Sequence, residues 1–239
     1  IFDGSTLAQR FDIPCNGSWS YYSLISDIDV DGKPDLVVYH GINGHITVFR
    51  NMSNPGSISP GTFSSGIELP LSGNASGIAV GDIDGDGKPD IAATDQSNNT
   101  VTIIRNISTP GSITSGSFES PVTLQTGIRP NGVAIRDIDS DGKSDLAVVN
   151  YGDGNNLTTC TVSVYKNTGF PGSINSGSFA SKVDFQTAPS GLHIEFSDID
   201  QDRKPDMIVT TFQMSISVFR NTSAQGVINQ GSFASKIDI

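Results

Sequence analysis

Four stretches of this 239-residue chain each pack four aspartates into nine residues, in the pattern D-x-D-x-D-x-x-x-D. The first holds Asp27, Asp29, Asp31 and Asp35, and the second Asp82, Asp84, Asp86 and Asp90. The third holds Asp137, Asp139, Asp141 and Asp145, and the fourth Asp198, Asp200, Asp202 and Asp206. These are 16 of the 25 acidic side chains. Carboxylates so close repel one another unless a cation lies among them. Alternate positions in a tight loop turn the first three side chains inward. A backbone carbonyl at position seven (Lys33, Lys88, Lys143, Lys204) and the aspartate at nine would complete an oxygen cage. Charged, hard oxygens in a flexible loop suit Ca²⁺ better than Mg²⁺. The loops contain no His or Cys, which argues against Zn²⁺.

One Asp-Gly pair would be read as an ordinary β-turn, but four such loops in register are read as metal loops. They are not EF-hands, whose loops end in a bidentate Glu at position 12. Here that position is Val38, Ala93, Val148 and Val209. Gly32, Gly87 and Gly142 at position six permit the sharp turn. The fourth loop has Arg203 there, which removes the turn residue and adds a positive charge. The fourth site is therefore expected to be the weakest.

The elements that carry the loops repeat with them, at offsets of 55, 55 and 61 residues. Each copy runs on to an Asn after a basic residue: Arg50-Asn51, Arg105-Asn106, Lys166-Asn167 and Arg220-Asn221. A Gly/Ser-rich connector such as PGSITSGSF follows, then a short apolar segment. The six extra residues of the third copy fall within 151–161. Segments between turn signals are short and rich in Val, Ile, Phe and Thr, which is a strand signature. About four strands per period of about 55 residues predicts one β-propeller blade per copy. In the second copy the expected strands are 77–82, 89–94, 100–106 and 118–125.

The fold class is thus all-β, with residues 1–239 forming a single β-propeller domain or propeller segment. The repeats run approximately over 14–66, 67–121, 122–182 and 183–239. Residues 4–13 resemble residues 231–239, so the fourth strand occurs once more than the other three. The surplus points to a segment of a larger ring of about six to eight blades. A four-bladed ring with a spare strand, and an assembly in which a neighbour receives that strand, are the alternatives.

Charge and composition narrow the class further. Lys+Arg is 14 against 25 Asp+Glu, a net charge of −11, which argues against nucleic acid and anionic membranes as partners. No apolar run approaches the ~18 residues of a membrane-spanning helix. The chain begins at Ile1 with no signal-like segment, so a processed protein or a segment of a longer one is expected.

The unit NGVAIRDIDSDGKSDLAVVN (131–150) resembles the FG-GAP, or VCBS-type, repeat, and the likeness covers essentially the whole chain. The family is similar to the propeller head of integrin α subunits. Comparable repeats occur in large secreted bacterial proteins, fungal lectins and polysaccharide lyases. The resemblance implies a propeller with structural Ca²⁺ in the loops between first and second strands, on the face opposite the one most used for ligands. Two departures stand out: Lys-Pro after the loop glycine where integrin-like repeats more often carry an aromatic, and Arg203.

On the opposite face the most distinctive stretch is 15–22, with the only Trp. Trp19 and Tyr21 suit sugar stacking or a protein hot spot; the alternative is that Tyr22 and one neighbour pack the first blade. His40, His45 and Tyr151 complete the candidate ligand-binding residues. The two histidines are five apart across a Gly-rich turn and lack a third ligand. His193 is expected to be a packed or edge residue of a first strand. Cys15 and Cys160 could form one disulfide, most readily in a small ring. Glycosylation sequons occur at Asn16, Asn51, Asn74, Asn98, Asn106, Asn156 and Asn221, three of them in one repeat phase. No catalytic constellation is legible, so the chain is not expected to be an enzyme. The expected function is a calcium-stabilised extracellular or cell-surface module for recognition, adhesion or surface assembly, with a protein or glycan partner. The alternatives are a lectin of the same fold, a propeller domain of a secreted polysaccharide-degrading enzyme, and a polymerising surface or filament protein that uses its terminal strand.

Overall fold

A computed structural model describes residues 12–13, 20–40, 44–71, 73, 75–153 and 157–239. Among the described residues sixteen strands form four antiparallel sheets of four, each built from consecutive strands. The first sheet is β1 (Ser20–Ser26), β2 (Asp35–His40), β3 (His45–Phe49) and β4 (Ile67–Pro70). The second is β5 (Ala75–Gly81), β6 (Asp90–Asp95), β7 (Thr100–Ile104) and β8 (Val122–Gln125). The third is β9 (Pro130–Arg136), β10 (Asp145–Asn150), β11 (Thr161–Tyr165) and β12 (Val183–Gln186). The fourth is β13 (Gly191–Ser197), β14 (Asp206–Thr211), β15 (Ile216–Phe219) and β16 (Ile237–Asp238). The all-β class and the four-stranded blade stand as the sequence predicts. Among the described residues no helix is long and apolar enough to cross a membrane.

The second strands read as apolar runs rather than as an alternation, and the reason is stacking. Every residue of β6 and β10 is buried, because a neighbouring sheet covers each face. Ile28, Val37, Tyr39, Ile46 and Val48 of the first sheet meet Ile91, Ala93 and Ile104 of the second. Ala92, Val101 and Ile103 then meet Leu146, Val148 and Tyr165. Finally Ala147, Val149, Val162 and Val164 meet Ile194, Met207, Val209 and Phe219. Each fully buried aliphatic side chain contributes roughly 1.5–3 kcal/mol, so these three clusters hold the stack together.

The first strands of neighbouring sheets approach closely. A Cβ on Gly77 would lie 2.3 Å from the Asn131 carbonyl oxygen, and one on Gly132 would lie 2.8 Å from that of Leu192. Only glycine fits there. Each pairing of first and second strand also shifts register near the end away from the acidic loops, for example between Val148 and Asn150.

The first two strands of the second sheet are shifted by one or two residues from the expected bounds, and the end of the third and start of the fourth differ for one reason. The third strand of the second sheet stops at Ile104 and the fourth starts only at Val122. Arg105 and Asn106 leave the ladder to serve the acidic loop, and Phe118 keeps only an isolated bridge to Asn106. The same bridge recurs as Asn51–Phe63, Asn167–Phe179 and Asn221–Phe233. Residues 1–11, including most of the surplus strand, lie outside the described residues.

Candidate metal centres

Each acidic loop joins the first and second strands of its sheet, and its fold follows from its own carboxylates. The first aspartate closes the turn by accepting backbone amides. Asp27 Oδ1 takes Asp31 N at 3.0 Å and Oδ2 takes Gly32 N at 2.9 Å. Asp82 takes Gly85 N and Gly87 N, Asp137 takes Asp141 N and Gly142 N, and Asp198 takes Arg203 N. The ninth aspartate is buried and accepts two amides, one on each oxygen. Asp145 receives Ile138 N at 3.0 Å and Asn167 N at 2.8 Å. Asp35, Asp90 and Asp206 do the same with Ile28 and Asn51, Ile83 and Asn106, and Ile199 and Asn221. Burial pushes the Asp90 and Asp145 carboxyls up to about 7, against the pull of those amides, and raises Asp35 as well.

Position six is left-handed in every loop, with φ of +86°, +86° and +88° at Gly32, Gly87 and Gly142 and +70° at Arg203. The first three accept this freely, whereas Arg203 carries the Cβ penalty. Position four is left-handed as well, at Val30, Gly85, Ser140 and Gln201. The sequence reading did not anticipate this, and Val30 is the most strained because it is β-branched.

The clusters that result bring three carboxylates together, with ligand atoms within 4.8 Å of one another. They are Asp27, Asp29 and Asp35; Asp82, Asp84 and Asp86; Asp137, Asp139 and Asp145; and Asp198, Asp200 and Asp206. In three loops the fifth-position aspartate (Asp31, Asp141, Asp202) stands outside the trio. It faces instead a basic residue from the end of the third strand, the member of the site that sequence reasoning missed. Arg50 donates Nε to Asp29 at 2.6 Å and a terminal nitrogen to Asp31 at 2.5 Å. Arg105 bridges Asp84 and Asp86, Lys166 bridges Asp139 and Asp141, and Arg220 bridges Asp200 and Asp202. The signal was the fixed repeat phase of the basic residue. Despite burial, which opposes it, the Lys166 ammonium holds Asp141 below the usual carboxylate range, and the Arg220 guanidinium holds the exposed Asp200 below it too.

The basic residue takes the outer oxygen of the third-position aspartate and leaves the inner one. Asp29 Oδ1 and Asp139 Oδ1 are buried and have no hydrogen-bond partner. An orphaned charged oxygen inside a protein costs more than the 1–3 kcal/mol of a neutral group, and a cation beside it removes that cost. Donor chemistry and geometry therefore fit a hard divalent ion. The lysines at position seven sit at the loop rim. Lys33, Lys88, Lys143 and Lys204 each donate their backbone amide to the preceding fifth-position aspartate (3.0 Å in each loop).

At the other end of the sheets, His40 and His45 do meet, with rings stacked at a centroid distance of 4.4 Å. His40 is fully buried and its Nε2 pairs with Thr47 Oγ1 at 3.0 Å. Burial first and the neighbouring His45 second lower its pKa. Tyr151 is half-buried just after the end of β10, under the Arg129 guanidinium at 4.6 Å. Tyr21 lies in β1, and Trp19 lies outside the described residues. His193 is exposed on β13 and pairs with Glu195 rather than packing. Cys160 is a free, buried thiol that donates to the Tyr151 carbonyl, and Cys15 lies outside the described residues.

Three sequons are structural rather than glycan acceptors. Asn51, Asn106 and Asn221 are at most 7% exposed, and their Nδ2 groups donate to loop carbonyls. The FG-GAP-like repeat family is matched over residues 27–93, 85–148 and 137–209. No individual curated protein sequence matches the chain significantly.

Proposed function

We propose that this chain, which belongs to the FG-GAP-like repeat family, is a calcium-stabilised recognition module that works outside the cell and catalyses no reaction. The observation that carries the reading is the buried, unpartnered oxygen on Asp29 and on Asp139, each inside a cluster of three carboxylates. The four aspartate trios would hold the ions, and the position-seven carbonyls of Lys33, Lys88, Lys143 and Lys204 are the further oxygens within the loops. The bound ion supplies charge neutralisation and a rigid crosslink within each loop. Four ions would move the net charge from −11 to −3, since −11 + 4 × 2 = −3.

Calcium is the ion favoured by an all-oxygen, multiply charged and flexible donor set. Extracellular modules of this kind bind it at roughly 10⁻⁴–10⁻³ M, a range that millimolar calcium fills and cytosolic calcium does not. The stacked sheets then form a rigid body whose loop ends are free to meet a protein or a glycan, the usual use of loops on a stiff scaffold. Calorimetric titration with calcium, paired with thermal melts in calcium and in chelator, tests the proposal. Saturable binding in that range and a melting temperature that drops on chelation are expected. A flat titration with an unchanged melt would overturn it.

A further inference from the structure

The four loops are not independent of one another. In three of the four repeats the asparagine that follows the basic residue is wired to two of them at once. Asn167 donates its backbone amide to Asp145 and its Nδ2 to the Ser144 carbonyl at 2.9 Å, both in the third loop. The same Nδ2 donates at 2.7 Å to the carbonyl of Ile83, which lies between the ligands Asp82 and Asp84 of the second loop. Asn106 joins the second loop to the first in the same way, through Asp90, Pro89 and Ile28. Asn221 joins the fourth to the third through Asp206, Pro205 and Ile138. All three asparagines are at most 4% exposed, so water does not compete for these bonds.

Each junction is reinforced. Ser108 Oγ also donates to the Ile28 carbonyl at 2.9 Å. Gly172 N donates to the carbonyl of Asp84, and Gly226 N to that of Asp139, each at 3.0 Å. Those carbonyls belong to third-position aspartates, so the following blade grips the ligand residue itself. Asn51 has no such link among the described residues. It makes the intra-loop bonds to Asp35 and Pro34 and nothing in another sheet.

We infer that Asn106, Asn167 and Asn221 couple the metal loops in series, so that calcium fills them cooperatively. This rests on the calcium reading above. Ordering a loop around an ion fixes the backbone between its first and third aspartates, and with it the acceptor carbonyl. The asparagine held there in turn fixes the eighth and ninth positions of its own loop. Each loop thus lowers the ordering cost of the next, and the coupling is reciprocal. The three asparagines are positioning residues, acting on the ion through the backbone.

The test is calorimetric calcium titration of the whole chain and of three variants. Asn167→Ala removes the side-chain bond to the Ser144 carbonyl together with the link to Ile83, whereas Asn51→Ala removes the equivalent bond to the Pro34 carbonyl alone; the backbone amides to Asp145 and Asp35 remain in both. Asn167→Ala should weaken the untouched second loop about ten-fold, the scale of outer-shell losses at metal sites, and lower the Hill slope. Asn51→Ala should weaken one site and leave the slope. Should Asn167→Ala not fold, Asp137→Asn carries the same test, because emptying the third loop should weaken its neighbours on both sides. Isotherms for Asn167→Ala and Asn51→Ala that differ only in melting temperature, or remaining sites of unchanged affinity in Asp137→Asn, would overturn the coupling while leaving calcium binding intact. Absence of calcium binding by the unaltered chain would overturn the metal reading itself.

Discussion

The third and fourth acidic loops carry the same four carboxylates at the same spacing, yet they sit in different surroundings. In the third, Ile138 is fully buried and Asp139 is 1% exposed, because the Asn221 side chain and the connector of the fourth blade lie over them. In the fourth, Ile199 is 51% exposed, and Asp198 and Asp200 face solvent. The bridging base follows the same division: the Lys166 side chain is 19% exposed and that of Arg220 59%. A motif therefore supplies the ligands, but the following blade supplies the dry surroundings in which a carboxylate oxygen can be left without a donor. The fourth loop is open to solvent and its Asp200 Oδ1 already accepts the Asp202 amide at 3.2 Å, so an ion gains less there.

The sharpest way to break this comparison is to remove the ninth aspartate from each loop. Asp145→Ala strands two amides, Ile138 N and Asn167 N, in a buried setting, at about 1–3 kcal/mol each. Asp206→Ala frees Ile199 N and Asn221 N, but the exposed Ile199 can turn to water. Denaturant unfolding in chelator should show Asp145→Ala losing about 2–5 kcal/mol and Asp206→Ala roughly half as much. Equal losses would mean that the cover by the next blade does not matter.

Much of this arrangement was legible because the chain states it four times. The loop aspartates, the blade of four strands and the outlier status of Arg203 all follow from residue type and spacing within about a dozen positions. What could not be read was whatever joins distant positions. The bonds from Asn106, Asn167 and Asn221 span 78, 84 and 83 residues. Nothing local distinguishes such an asparagine from a glycan acceptor, and three of the four lie in sequons. Only their shared phase beside a basic residue hinted at a structural task. The premature end of the third strands was hidden for the same reason, since β-propensity continues to Arg105 while a carboxylate from another strand captures the next amide. Left-handed backbone at Val30 and Ser140 was invisible because neither residue favours it.

Acidity separates empty from filled loops by a smaller amount. The carboxyls of Asp90 and Asp145, raised to about 7, hold protons in the calcium-free fold that they would shed in the unfolded chain above pH 4. The stability this contributes is complete below about pH 4 and is lost as pH rises through 7. A divalent ion beside either carboxyl favours its ionised form, so binding at these loops should release protons. Apparent affinity at the second and third loops should rise roughly ten-fold from pH 6 to 7.5. Calorimetry in two buffers of different ionisation enthalpy measures the protons directly, and no release at pH 6.5 would contradict the buried setting of these two groups.

The smallest change tests how much of the fourth loop's expected weakness is local. Arg203 adopts φ +70° where the other loops have glycine, and a Cβ at each of those glycines would meet nothing within 4 Å. The obstacle at this position is thus backbone conformation rather than space, worth about 1 kcal/mol. Arg203→Gly also removes a cation beside the carboxylates, which acts in the same direction. The weakest step of a calcium titration should therefore tighten by roughly five-fold in this variant, with a smaller gain at the coupled third loop and little effect on the first two. If the fourth site instead became equal to the third, the turn residue alone would account for its weakness and the exposure of Ile199 would be irrelevant. A step that stays clearly weaker than the third after the substitution assigns the remainder to the uncovered end of the stack.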